Sequence, residues 1–77
     1  ERRLTRAELQ RYREQLELRA AADPMRRDWW VELLMLTMVF DVDPTAAARI
    51  AVAALEHHAS DPEFVHDRRM AERWRHG

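Results

Sequence analysis

Residues 29–40 read WWVELLMLTMVF, and only Glu32 and Thr37 interrupt this run of Trp, Val, Leu, Met and Phe. On a helical wheel these two polar residues lie well apart, so the helix has no polar face and must be surrounded by other structure. The run has 12 residues, whereas a helix that crosses a bilayer needs about 20. We therefore expect the rest of the chain to wrap this helix completely, or a second protein chain to cover one side of it.

Three Asp-Pro steps divide the chain, at residues 23–24, 43–44 and 61–62. Asp accepts hydrogen bonds from the unpaired N–H groups at a helix start, and Pro suits the first helical position because it has no N–H. Each step therefore predicts a helix start, and Thr5 with Glu8 adds a fourth in the capping-box pattern. The predicted helices cover about residues 5–22, 24–40, 44–59 and 62–75. Their short connections favour antiparallel neighbours.

The composition favours helix at nearly every position, because Ala and Leu are abundant and Gly occurs once. We expect residues 1–77 to form one all-α domain, a compact four-helix array that assembles into oligomers. A chain of this size buries only roughly 60% of its unfolded surface, so its core is marginal unless something extends it. Cysteine is absent, which excludes disulfides and thiolate metal sites. The core could still be extended by a partner subunit or by a metal held by His and carboxylates.

The third and fourth predicted helices each carry an apolar face. Ala47, Ala51 and Ala54 share one side of the third helix, and small residues at this spacing let two helix backbones approach closely. We expect this side to pack against the second helix. In the fourth helix Asp67 falls inside the apolar stripe that includes Trp74.

The large side chains of the second helix indicate a protein-interaction function. Trp and Met are enriched at protein interfaces. Adjacent Trp29 and Trp30 lie about 100° apart on a helix, so one can face the core while the other faces outward. Both could instead fill a fully wrapped core. The candidate partner-binding residues are Trp29, Trp30, Val31, Met35, Met38 and Phe40. The function expected is a small adaptor, assembly or regulatory domain with a homo-oligomeric or hetero-oligomeric protein partner.

Glu32 supports a second hypothesis, a metal site, since no cation lies one turn away on its own helix. If Glu32 is buried, its partner would be an Arg from another helix (Arg49), the same residue across a dimer axis, or a metal. An exposed position for Glu32 is the other alternative. Glu63 and His66 form a Glu-x-x-His pair, the unit that carboxylate-bridged di-iron bundles use. A dimer that combined Glu32, Glu63 and His66 could hold iron or zinc. A hydrated His cluster at a helix end, with no cofactor, explains the same residues.

Nucleic-acid binding is a third hypothesis, and it depends on arginine clusters near the two ends of the chain. The clusters comprise Arg2, Arg3, Arg6, Arg11 and Arg13, and then Arg68, Arg69, Arg73 and Arg75. They alternate with Glu and Asp, and the net charge of −1 argues against a general nucleic-acid binder. Catalysis without a metal has little support, because the chain has no Cys nucleophile and no Gly-rich loop. We therefore expect a non-enzymatic protein.

The basic residues and the opening of the chain predict the source of the protein and its location in the cell. All 13 basic residues are Arg, which indicates the codon bias of a GC-rich, bacterial genome. The opening Glu1-Arg2-Arg3-Leu4 is charged and no apolar signal segment follows it. We therefore expect a cytoplasmic protein without a membrane-spanning segment.

Overall fold

Four α-helices follow one another in a computed structural model that describes residues 4–76. They are α1 (Arg6–Ala22), α2 (Arg27–Met35), α3 (Pro44–His57) and α4 (Pro62–His76). A π-helical turn, Leu36–Phe40, continues α2. No strand is found within residues 4–76, so the all-α class predicted from the sequence is confirmed.

Side-chain caps mark the starts of α1, α3 and α4. Thr5 and Glu8 form the reciprocal capping box, with two hydrogen bonds of 3.1 Å. At α3 the Asp43 carboxylate accepts the Ala46 N–H at 3.2 Å, with Pro44 in the first turn. At α4 the Asp61 carboxylate accepts the Glu63 N–H at 3.0 Å. These contacts satisfy N–H groups that have no partner inside the helix.

The first Asp-Pro step does not start a helix, contrary to the sequence-based prediction. Asp23 instead ends α1, donating its N–H to the Arg19 carbonyl at 2.9 Å, and α2 begins at Arg27. The Pro24 carbonyl accepts the Trp30 indole N–H at 2.8 Å and lies 3.0 Å from His58 Nε2. Because these side chains hold the peptide carbonyl, residues 23–26 form a turn between the helices.

The second helix also ends differently from the prediction of one uniform helix to residue 40. The Asp41 N–H donates to the Leu36 carbonyl at 2.7 Å, the five-residue step of a π-helix. Thr37 is fully buried there, and its hydroxyl donates to the Leu33 carbonyl at 2.9 Å. A buried hydroxyl that bonds a carbonyl one turn back competes with the regular helical pattern.

Helix α3 packs most extensively against α4, and it also makes the contact with α2 that its alanine face predicts. Ala47 and Ala48 form a buried cluster with Ala71 of α4, and Met38 of the π-helical turn packs against this cluster. Small side chains on both helices allow a close approach. Ala51 and Ala54 join the main core with Phe64 and the leucines of α1 and α2.

Helix α1 contacts mainly α2, through Leu16 and Ala20, which are both buried. Leu9 packs at the edge of the core, while Tyr12 of the same predicted stripe is exposed. The molecule measures 37 × 33 × 18 Å along its principal axes, so the helices form a flattened array. Much of α2 therefore lies close to a surface.

Candidate protein-interaction site

Trp30 is a core residue, which corrects its assignment as a partner-binding residue. Only 7% of its surface is exposed. Its indole N–H is bonded to Pro24, and its ring stacks on His57 with centroids 6.1 Å apart. A side chain fixed in this way within its own chain cannot serve as an anchor for a partner.

Trp29 is half-buried at the edge of the core, beside two arginines of its own chain. The guanidinium carbon of Arg26 lies 4.7 Å from the ring centroid, and that of Arg19 lies 5.3 Å away. Cation–π contacts of this kind hold the indole against the turn between α1 and α2. Trp29 lines none of the three surface grooves of the molecule.

A groove lies between α2 and α4, with a volume of about 240 Å³. We name it the α2–α4 groove. Its lining residues come from α2 and its π-helical turn, and from one flank of α4: Val31, Leu34, Met35, Met38, Val39, Glu63, Asp67 and Trp74. Three of the residues predicted to bind a partner, Val31, Met35 and Met38, thus line one concave surface.

A smaller groove of about 120 Å³ lies on the other side of Met35, lined by Tyr12, Glu32, Met35, Leu36 and Phe40. Met35 therefore lines both grooves. Met35, Val39 and Phe40, which we name the apolar ridge, are 53%, 63% and 66% exposed. Met35 and Phe40 were among the residues predicted to bind a partner, and Val39 was not, although Val39 belongs to the same apolar run.

Asp67 is the unpaired charge of the α2–α4 groove. It makes no ion pair with any residue in the described range 4–76, and burial raises the pKa of its carboxyl, with the nearby Glu63 adding to the rise. Glu63 itself is bound by Arg27 at 2.6 Å. The same Arg27 guanidinium binds Asp61 at 2.7 Å and lowers the pKa of that carboxyl. In this groove Glu63 is therefore ion-paired, whereas Asp67 makes no ion pair within the described residues, and electrostatic effects of His66 and Arg27 only oppose the rise of its pKa.

The three candidate metal ligands have separate environments. Glu32 accepts the Tyr12 hydroxyl at 3.1 Å, so its partner is Tyr12 and not the expected Arg49. Burial and the bond to Glu32 raise the pKa of Tyr12. Glu63 is bound by Arg27, and His66 is exposed. Within residues 4–76, no three His, Asp or Glu side chains are grouped so that they could hold a metal ion.

The arginines near the end of the chain line a third groove, between α3 and α4, of about 460 Å³. We name it the α3–α4 groove. Leu55 and Val65 supply its apolar lining, and the charged residues are Arg68, Arg69, Glu72 and Arg73. Glu72 is bound by Arg75 at 3.0 Å. Across the described part of the chain, Arg68, Arg69 and Arg73 make no ion pair.

None of the helices described between residues 4 and 76 combines the length and the apolar character needed to cross a membrane. No family model, no curated protein and no solved structure matches the chain.

Proposed function

We propose that this chain is a non-enzymatic protein-interaction module that binds a helix of a protein partner in the largely apolar α2–α4 groove. The observation that carries the proposal is the apolar ridge, whose three large side chains are each more than half exposed beside a concave surface. Contiguous exposed apolar side chains on a small domain mark interaction sites. The module would act as an adaptor, assembly or regulatory domain in the bacterial, cytoplasmic setting expected from the sequence.

The size and lining of the groove favour a protein partner over a small molecule. Its volume of about 240 Å³ lies below the roughly 300–1,000 Å³ of typical ligand pockets. Two methionines, Met35 and Met38, contribute flexible, polarisable side chains that adapt to the shape of a partner. A groove between two helices accepts the apolar face of a third helix, a common recognition mode.

Light scattering behind size exclusion, across a hundredfold dilution series, tests for self-association. The variant Met35→Gln/Val39→Gln makes the ridge polar without changing the net charge. The matched control is Leu18→Gln, because Leu18 is 71% exposed on α1 and lines none of the three grooves. We expect the wild type and the control to associate equally and the ridge variant to remain monomeric with unchanged helical circular dichroism.

Binding of a helix from a different protein needs a separate test, a screen of peptides. Helical peptides selected from a randomised library against the wild type would be rescreened against the ridge variant and the control. The proposal predicts peptides that bind the control but not the ridge variant. If the wild type neither associates nor yields any peptide that depends on Met35 and Val39, the α2–α4 groove is not an interaction site.

The same light-scattering series with chelator added tests the alternative that two chains share a metal ion. Glu32, Glu63 and His66 would then have to come from both molecules of a dimer, with iron or zinc as the cofactor. An assembly that dissociates when chelator is added, and that regains its size with zinc or iron, would favour this alternative. An assembly indifferent to chelator would favour the apolar groove.

A further inference from the structure

Helix α4 separates two grooves whose charged lining residues have opposite sign. The polar residues of the α2–α4 groove are both carboxylates, Glu63 and Asp67. Three of the four charged residues of the α3–α4 groove are arginines, and its one carboxylate, Glu72, is already bound by Arg75. One side of α4 is therefore acidic and apolar, and the other side is basic.

The two grooves use nearly opposite flanks of the same helix. At 100° per residue, the α4 residues that line the α2–α4 groove point within about 40° of one another. The α4 residues that line the α3–α4 groove are centred roughly 180° away. They are Val65, Arg68, Arg69, Glu72 and Arg73, which we name the basic flank. Because the surfaces do not overlap, one molecule can contact two neighbours at once.

The charged lining residues in question make no ion pair within the described chain, although His66 and Arg27 lie near enough to Asp67 to oppose the rise of its pKa. Asp67 makes no ion pair there, and burial raises its pKa, so its charged form is penalised. Arg68, Arg69 and Arg73 also make none, whereas Arg13, Arg27 and Arg75 each bind a carboxylate. The apolar lining of the α2–α4 groove would strengthen the attraction between Asp67 and an incoming guanidinium.

Trp74 provides a second contact for an arginine in the same groove. Its indole is partly exposed, and a guanidinium over an indole face gains cation–π attraction. The chain already makes this contact elsewhere, where Arg19 and Arg26 lie over Trp29. Every basic side chain of a second copy is an arginine, the residue type that fits such a site.

We propose that a second copy of this chain occupies the α2–α4 groove, presenting its basic flank to Asp67 and Trp74, so that molecules associate head to tail. The inference rests on the proposed function, since it names the partner that the groove binds. The contact joins different surfaces of the two molecules, so each addition leaves one free groove and one free flank. Such heterologous contacts produce rings or open chains. Association will therefore continue beyond a dimer and will weaken as salt screens the charges.

Two variants, each with one surface disabled, test the inference. Met35→Gln/Val39→Gln disables the groove and retains the basic flank. Arg69→Gln/Arg73→Gln disables the flank and retains the groove. We expect each variant alone to remain monomeric at concentrations where the wild type associates, its self-association being weakened on the order of tenfold or more. The groove variant loses apolar contacts, and the flank variant loses close charge pairs, which are strongly coupled at interfaces. An equimolar mixture will give a 1:1 heterodimer and nothing larger, because only one pair of functional surfaces remains.

The control for the flank variant is Arg6→Gln/Arg11→Gln, which removes the same charge from exposed positions of α1. It should associate like the wild type. A complex that stops at two wild-type molecules, and that the flank variant leaves intact, would be a symmetric dimer and would overturn the head-to-tail inference while keeping the proposed groove.

Two further results would also overturn the inference. A wild type that stays monomeric but binds selected helical peptides in the groove would keep the proposed function and replace the second copy by a foreign helix. A flank variant that loses salt-dependent retention on DNA, with self-association unchanged, would assign the basic flank to nucleic acid. The absence of every groove-dependent interaction would overturn the proposed function as well.

Discussion

The Asp61 carboxylate binds Arg27 through both of its oxygens, at 2.7 and 3.3 Å, and also accepts the Glu63 N–H at the start of α4. Arg27 is the largest cause of the lowered pKa of Asp61. Because the folded pKa lies below the ordinary value of 3.8, the ionised carboxylate stabilises the fold above that pH. This stabilisation is lost as the pH falls through the lower, folded value.

The variant Asp61→Asn distinguishes the contribution of the ion pair with Arg27 from that of the helix cap. It removes the negative charge, but Asn retains an oxygen that can accept the Glu63 N–H. We expect its Tm to fall by roughly 2–4 °C at neutral pH, the size expected for a partly exposed ion pair in a small domain. The difference from the wild type should vanish in acid below the folded pKa. Thermal unfolding followed by circular dichroism at both pH values measures it, with the exposed Asp28→Asn as a control that should change little. A difference that persists unchanged in acid would assign the effect to the cap.

Single residues of the candidate site could be predicted where the apolar pattern marked them, but not where their position depends on contacts with other parts of the chain. The apolar run at residues 29–40 identified Met35 and Phe40, because only two polar residues interrupt it and the other helices leave part of its surface exposed. The same run could not tell Trp29 from Trp30. That choice depends on Pro24 and His57, which approach Trp30 only after the chain has turned back. Likewise Tyr12 reaches Glu32 from 20 positions away.

The starts of the helices could be predicted where the residues that determine them lie close to the helix start in the sequence. The caps at Thr5, Asp43 and Asp61 act within four residues of the helix start, so the starts of α1, α3 and α4 lie within one residue of their predicted positions. The step at residues 23–24 carries the same local signal, but distant side chains bind the Pro24 carbonyl. The greater extent of the α3–α4 contact could not be predicted, because alanine on a helix face permits close approach to any neighbour.

The π-helical turn depends on Thr37, whose buried hydroxyl donates to the Leu33 carbonyl at 2.9 Å and to that of Leu34 at 3.4 Å. Thr37→Val has nearly the same shape and removes only the hydroxyl. We expect it to lower the free energy of unfolding by about 1 kcal/mol, the value of a typical hydrogen bond. Because the turn sets the direction of Val39 and Phe40, the variant should also weaken binding at the apolar ridge.

Urea unfolding, together with backbone chemical shifts of residues 36–41, measures both effects of Thr37→Val. Thr37→Ser is the matched variant, since it keeps the hydroxyl and loses a methyl group. Serine should preserve the chemical shifts of the turn even though its stability falls. Unchanged shifts in Thr37→Val would mean that packing, and not the hydroxyl, determines the π-helical turn.

The whole molecule consists of a closely packed α3–α4 pair, with α2 against it and α1 on the outside. Helix α1 is held to α2 mainly by Leu16 and Ala20. A further link is Arg13, whose guanidinium lies 3.3 Å from Asp43 and 3.6 Å from Asp41, between α2 and α3. Parts of a domain with fewer buried contacts open at lower free energy than its core. Helix α1 should therefore open before the α3–α4 pair.

Leu16→Ala provides the test, because Leu16 is fully buried and its truncation costs about 2–5 kcal/mol. If α1 is a separate opening unit, native-state hydrogen exchange will show faster exchange of the α1 amides, while those of α3 and α4 keep their protection. Leu18→Ala, two positions along on the exposed face, should change exchange by no more than about 0.5 kcal/mol. Equal loss of protection in all four helices would instead show that the molecule unfolds as one cooperative unit. In that case α1 would be as firmly fixed as the core, and the Arg13 ion pairs with Asp41 and Asp43 would be the first contacts to examine for the coupling.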